Sequence, residues 1–563
     1  MDRLSIVSAP SRRNMLKGAA LALGGATLPL LPEASAGESP APAADALTAG
    51  AGKAEAQTRA GRVAGYRRGD VFTFKGIPYG DTTAGANRFL PPRPPKAWSG
   101  VRSSRSYGPV APQDKGTGRL NDEEAFLFQW NDSVEGEDCL RVNVWTRGIA
   151  DGGKRPVMVW LHGGGFAAGS GNDLPAFDGH NLAKRGDVVV VTLNHRLNLL
   201  GFLDLSAHDP AFARSGNVGM LDIVAALEWV RDNIAAFGGD PDCVTIFGQS
   251  GGGAKVSTLM GMPAAKGLFH RAIVQSGSFR LSNTSERSQQ LAGLLLKELG
   301  LTGADIARLQ ALPYAELRRA SEAVLARVNT PMGPIFDTRR LSRNLGFGPV
   351  LDGDVLPAAP FAPDAPGVTA DVPMLIGTTL NEFATGINHP EYEAMTIDEV
   401  RARLASALPG KADAVLAAFR KRTPDISPFD LWSRIASARV RIGAIEQATS
   451  KAAQRRAPAY LYWFTWQTRV LDGRPRAFHC AEIPFIFANA EICENMTGGG
   501  KRAAALEARI ADAWIAFART GSPNHRGLPE WRPFQGDSRA TMLLDDNCSL
   551  VENLDSEELA SLA

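Results

Sequence analysis

Thr245-Ile246-Phe247-Gly248-Gln249-Ser250-Gly251-Gly252-Gly253 runs from apolar and β-branched residues into glycines that surround one serine. Its first residues belong to the short apolar run 244–247, which reads as a strand. Residues 254–260 read as a helix. A serine between Gly248 and Gly252 then sits on a sharp strand-to-helix turn with strained backbone angles. Side chains two residues before or after it would collide with strand and helix, which explains both glycines. The following helix turns its N-terminal N–H groups and the positive end of its dipole toward the serine. Ser250 is the candidate nucleophile, and an ordinary glycine-rich turn is the alternative for this stretch taken alone.

Upstream, the apolar run 157–161 leads into His162-Gly163-Gly164-Gly165-Phe166. Three glycines after a strand leave bare backbone N–H groups free to face a cavity. Such donors stabilise the anionic oxygen of a tetrahedral intermediate. Gly164 and Gly165 are the candidates, joined by the N–H of Gly251 just after the serine. Further apolar runs at 188–193, 272–275, 374–377 and 460–465 read as strands. Continuous apolar strands of this length fit a sheet buried on both faces. Residues 217–237 are long and apolar enough for a buried helix, and a second helix ends at Gly521 with Pro523 beyond it. Residues 285–328 read as a helical insertion over the top of the sheet. Strand alternating with helix argues for an α/β class with a large, mostly parallel sheet flanked by helices. The order strand, His-Gly-Gly-Gly, strand, helix, serine turn is that of the α/β-hydrolase fold, in which helical insertions cover the active site.

In that order the acid follows the serine and the histidine comes last. Of eight histidines, only His270, His389, His479 and His525 follow Ser250. His270 comes before any strand that could carry an acid, His389 precedes a proline, and His525 lies in a turn-rich stretch. His479, after the strand at 460–465, is the best placed base, with a structural histidine as the alternative. Glu382 follows the strand at 374–377 and is the candidate acid. Asp352 and Asp354 compete with it but flank Gly353 as turn residues do.

Composition narrows the function classes. Lys and Arg number 61 against 59 Asp and Glu, so there is no basic excess to grip a nucleic-acid backbone. The apolar share of 44% is too high for a disordered chain. Five cysteines, Cys139, Cys243, Cys480, Cys493 and Cys548, are too sparse for a disulfide scaffold. With no Cys-x-x-Cys pair and no His-x-x-x-His pair, a structural zinc site has little support, and acyl transfer on a serine needs no metal or cofactor.

The N-terminus reads as an address. Ser11-Arg12-Arg13-Asn14-Met15-Leu16-Lys17 precedes an apolar stretch at 18–31, shorter than a membrane span, and Ala34-Ser35-Ala36 offers a cleavage site. Residues 1–36 are similar to a bacterial Tat-type export signal, which implies a periplasmic or secreted protein. Residues 37–58 read as a disordered leader, and 59–563 as a single domain with no membrane span.

The motifs together resemble the type-B carboxylesterases, a family that includes para-nitrobenzyl esterases, animal carboxylesterases and cholinesterases. Phe237-Gly238-Gly239-Asp240-Pro241-Asp242 leading to Gly248-Gln249-Ser250-Gly251-Gly252 resembles the family's serine signature. Glu137-Asp138-Cys139-Leu140-Arg141-Val142-Asn143-Val144 resembles its second one. Phe74-Lys75-Gly76-Ile77-Pro78-Tyr79-Gly80 and Gly216-Asn217-Val218-Gly219-Met220-Leu221-Asp222 are likewise similar. The resemblance implies hydrolysis of a small-molecule ester through an acyl-enzyme, with Ser250, Glu382 and His479 as nucleophile, acid and base. It places Gly164, Gly165 and Gly251 at the oxyanion and Ser276 as a support for the acid. Amide or carbamate hydrolysis by the same residues, a non-catalytic interaction module, and a Cys480 nucleophile are the rival readings. The departures are specific. The stretch 107–113 has no cysteine to pair with Cys139, and Arg141 replaces an aromatic. His195 and Asn198 replace Tyr and Gly, Gly251 stands where alanine is commoner, and Cys480 replaces a glycine.

Overall fold

The computed structural model describes residues 46–113, 122–278, 282–330 and 344–562. The proposed export signal and residues 37–45 lie outside them. A 12-stranded sheet organises the described chain. In spatial order its strands are Leu47–Thr48, Tyr66–Arg68, Val71–Pro78, Arg141–Thr146, Val189–Leu193, Arg155–Leu161, Gly239–Gln249, Arg271–Gln275, Met374–Thr379, Ala459–Phe464, Thr541–Leu544 and Ser549–Val551. The strands from Val189–Leu193 to Thr541–Leu544 pair in parallel, and the flanking strands are antiparallel.

The sheet is buried on both faces, as its continuous apolar runs require. Along Arg155–Leu161, Val157, Val159 and Leu161 enter one core while Met158 and Trp160 enter the other. This is the period-two alternation of a strand. The helices Val218–Asn233 and Pro428–Ala453 contribute to the first core, and Gly500–Thr520 to the second. The last of these ends at Gly521, whose φ of +80° and N–H bond to the Phe517 carbonyl close the helix. The helices Ser285–Glu298, Ile306–Ala311 and Tyr314–Val328 share a third apolar cluster with the short helix Asn198–Phe202.

Two boundaries differ from the sequence reading. The strand expected at 244–247 extends over Gly239–Gln249. Its first half is only partly buried, so it carries no apolar run to announce it, yet Gly239 pairs with Arg155. The disordered leader expected to reach Thr58 does not hold for residues 46–58. Leu47–Thr48 pairs with Arg67 and Arg68, and Glu55–Gln57 pairs with Arg62–Ala64. These edge strands are only two and three residues long, so they show no periodicity, but Ala54, Ala56 and Thr58 are buried.

Parallel register brings strand ends to one edge. Leu161 lies opposite Gly248, Gln249 opposite Gln275, and Gln275 opposite Gly377. The loops that follow therefore open into the same crevice, where ligands of open α/β sheets bind.

Candidate active site

Ser250 leaves its strand with φ +57° and ψ −123°. A non-glycine residue held there stores about 1–3 kcal/mol of strain. The surroundings hold it in place. Its N–H donates to the Gln275 carbonyl at 2.8 Å, and its carbonyl accepts from Ala254 N–H at 3.0 Å. The helix Gly251–Gly261 starts immediately after it. The glycines two residues away leave no alternative. A Cβ on Gly248 would lie 2.6 Å from the Leu161 carbonyl oxygen, and one on Gly252 would lie 1.9 Å from the same atom.

Glu382 and His479 sit on two loops zipped together by backbone. Asn381 N–H donates to the Ala477 carbonyl at 3.0 Å, and His479 N–H donates to the Glu382 carbonyl at 3.1 Å. The side chains follow. His479 Nδ1 lies 2.5 Å from Glu382 Oε2, and Thr379 N–H donates to Glu382 Oε1 at 2.9 Å. Both carboxylate oxygens are thus engaged, and Glu382 is buried. The Phe383 ring covers the imidazole at 4.3 Å. With Nδ1–H committed to the carboxylate, Nε2 carries the lone pair.

The Gln249 side-chain amide nitrogen lies 3.1 Å from His479 Nε2 and 3.3 Å from Nδ1, against the ring rather than in line with the Nε2 lone pair. The Gln249 Oε1 in turn accepts from the Cys480 thiol at 3.1 Å. Among the described residues Ser250 Oγ makes no hydrogen bond to the imidazole. Catalytic hydrogen bonds commonly form only when substrate is bound. The sequence reading missed Gln249, although it lies inside the quoted motif.

Ser250, Glu382 and His479 line one cavity of about 470 Å³ together with Gly163 and Gly164. Phe128, Trp130, Phe177, Phe383 and Phe478 supply apolar walls. Cover comes from the short helix Glu123–Phe128 and the loop after it rather than from the helices between 285 and 328. Gly164 and Gly165 have φ of +81° and +62°, and their N–H groups meet no backbone carbonyl among the described residues. Gly165 packs against Gly251, where a Cβ would meet its Cα at 2.4 Å. Gly251 N–H is the first of the helix and has no intrahelical acceptor.

Ser276 departs from its expected part. Its N–H donates to the Gly377 carbonyl at 2.7 Å, but its buried hydroxyl has no partner. The acid is held by Thr379 N–H and the imidazole. The rival histidines and aspartates are occupied elsewhere. His270 Nδ1 accepts from Val244 N–H, His389 pairs with Glu391 at the surface, and His525 Nε2 meets the Arg509 carbonyl. Asp352 binds Asn217, and Asp354 binds Arg214. All five cysteines are free. Burial pushes the Cys480 thiol well above its usual range. A second carboxyl, Glu482, lies beneath the site. Burial, and then the neighbouring Glu382 charge, push it up to about 7.

The sequence model of the carboxylesterase family matches residues 52–562. The para-nitrobenzyl esterase of Bacillus subtilis (strain 168) is 35% identical over 511 residues, 90% of this chain and 97% of that protein. The phenmedipham hydrolase of Pseudarthrobacter oxydans is 34% identical, over 87% of this chain and 95% of its own. A solved esterase from Clostridium hathewayi superposes with a TM-score of 0.79 at 36% identity, covering 92% of this chain and 99% of its own.

Proposed function

The chain belongs to the carboxylesterase family and is a carboxylic ester hydrolase; we propose that it works by two-step acyl transfer on Ser250. His479 Nε2 takes the proton of Ser250 Oγ as that oxygen attacks the ester carbonyl carbon. The N–H groups of Gly164, Gly165 and Gly251 receive the oxyanion, and Glu382 holds the imidazole tautomer and stabilises the imidazolium. Collapse of the intermediate breaks the bond to the alcohol oxygen, which leaves with the proton from His479. Water, deprotonated by His479, then attacks the acyl carbon and restores Ser250. The observation that carries this reading is the contact of His479 Nδ1 with Glu382 on the cavity that Ser250 enters from a strained turn.

The aromatic walls favour an apolar ester with an aryl or alkyl group. The near balance of charge gives no strong preference between acidic and basic substrates and no basic excess for a nucleic acid. We further propose export by the twin-arginine route with cleavage after Ala36, supported by the Arg12-Arg13 motif and the short apolar stretch behind it. N-terminal sequencing of the protein from a periplasmic fraction tests this, and a mature chain that still begins at Met1 overturns it.

The test of the mechanism is p-nitrophenyl acetate and butyrate hydrolysis by residues 37–563 beside Ser250→Ala. The expected result is activity in the first and a loss of at least about 10⁴-fold in the second. Activity that survives Ser250→Ala overturns the nucleophile. A folded chain with no activity and no labelling by an organophosphonate favours a binding module.

A further inference from the structure

Behind the glycine loop lies a charged group that the mechanism above does not use. Lys255, one turn into the helix Gly251–Gly261, is fully buried. Its Nζ donates to the carbonyl oxygen of His162 at 2.9 Å. That peptide leads directly into Gly163 and Gly164, which line the cavity. Among the described residues no carboxylate pairs with the ammonium. The Phe166 ring lies 5.8 Å from it.

Two imidazoles face the same group. His162 follows the strand Arg155–Leu161 and His195 comes two residues after Val189–Leu193; their rings stack at 5.0 Å. His162 Nδ1 lies 2.9 Å from the Gly163 carbonyl, and His195 Nδ1 lies 2.7 Å from the Arg196 carbonyl. A carbonyl only accepts, so each Nδ1 carries its proton and each Nε2 is bare. Neither Nε2 has a partner. Burial, with the Lys255 charge second, holds both imidazoles well below their usual range, so they are neutral. The next charges, Arg196 and Asp222, are paired with each other at 2.7 Å. Lys255 is therefore a lone buried cation, lowered to about 7 by desolvation. Leaving a cation buried and unpaired is costly. A negative charge that forms transiently nearby offsets that cost only while it exists, which is differential stabilisation of the transition state.

We propose that Lys255 is a positioning residue for the oxyanion. Its ammonium ties the serine helix to the His162 peptide, which fixes the N–H groups of the glycine loop. Its unneutralised charge is satisfied when the tetrahedral anion forms. The proposal rests on Ser250 acting through such an intermediate.

The test compares wild type with Lys255→Met and Lys255→Gln. The second keeps a donor for the His162 carbonyl without the charge, and carries the test if the first does not fold. In a folded variant kcat for p-nitrophenyl butyrate falls at least tenfold while KM moves less than about twofold. Affinity for a trifluoromethyl ketone, which mimics the tetrahedral anion, falls in parallel with kcat. The charge is present below pH 7 and lost above it, so wild-type kcat carries a falling alkaline limb that both variants lack. A folded variant with wild-type kcat, inhibitor affinity and pH profile overturns the proposal. Failure of an organophosphonate to label Ser250 in wild type overturns the acyl-enzyme reading instead, so the two failures are distinct.

Discussion

His479 is bound to Glu382 twice, by side chain through Nδ1 to Oε2 at 2.5 Å and by backbone through its N–H to the Glu382 carbonyl at 3.1 Å. The backbone bond survives any change of side chain at 382. Glu382→Gln therefore leaves the loops in place and alters only the electrostatics and tautomer of the imidazole. Under the proposed mechanism kcat falls by about 10⁴-fold with little change in KM, as when a triad acid becomes its amide. Steady-state kinetics with p-nitrophenyl butyrate measure it, and a variant within tenfold of wild type removes Glu382 from the mechanism.

The Gln249 amide nitrogen lies 3.1 Å from His479 Nε2, the nitrogen that must accept the serine proton, and 3.3 Å from Nδ1. Gln249→Glu replaces that amide with an anion of nearly the same shape. An anion beside an imidazole favours the protonated ring. The acid limb of kcat/KM is expected to move to higher pH, with the plateau rate little changed. Because kcat/KM reports the free enzyme, an unmoved limb contradicts a contact between residue 249 and the imidazole before substrate binds.

Cys480 donates its thiol proton to Gln249, and burial holds it in the thiol form. A thiol is neither a good nucleophile nor a fast target for alkylation. Cys480→Ala is expected to retain activity within about threefold. Iodoacetamide at neutral pH is expected to leave the wild type active over hours. Inactivity of Cys480→Ala together with full activity of Ser250→Ala would establish the thiol as nucleophile.

Glu482 keeps its proton to about pH 7 in the folded chain, whereas an unfolded glutamate loses it near about 4.3. Between those values the native state binds more protons than the unfolded state. Stability must therefore fall as pH rises through that window. Lys255 acts in the opposite sense. Native Lys255 loses its proton near 7 and unfolded lysine near about 10.4, so stability rises with pH between them. Urea midpoints of wild type and Glu482→Gln at pH 5, 6 and 7 are the measurement. The variant is expected to lose most of the decline, and equal slopes in the two proteins contradict the assignment.

The local chemistry of the chain is written in its sequence because steric need is local. Gly248 and Gly252 flank Ser250 since a strand and a helix must cross within five residues, and that constraint shows without any distant contact. The continuous apolar runs at 157–161 and 272–275 announce strands buried on both faces for the same reason. Where burial is partial, as at residues 240–243 or along the edge strands near Leu47 and Glu55, no periodicity forms and the elements escape notice.

Tertiary structure decided which polar groups meet. Glu382 and His479 are 97 residues apart, and only parallel register followed by the zipped loops joins them. The same holds for the Gln249 amide at the imidazole, for Ser276 left without an acceptor, and for Lys255 beneath the His162 peptide. Such contacts depend on which strand lies beside which. That order comes from burying two sheet faces at once, a property of the whole core that no short stretch of residues encodes.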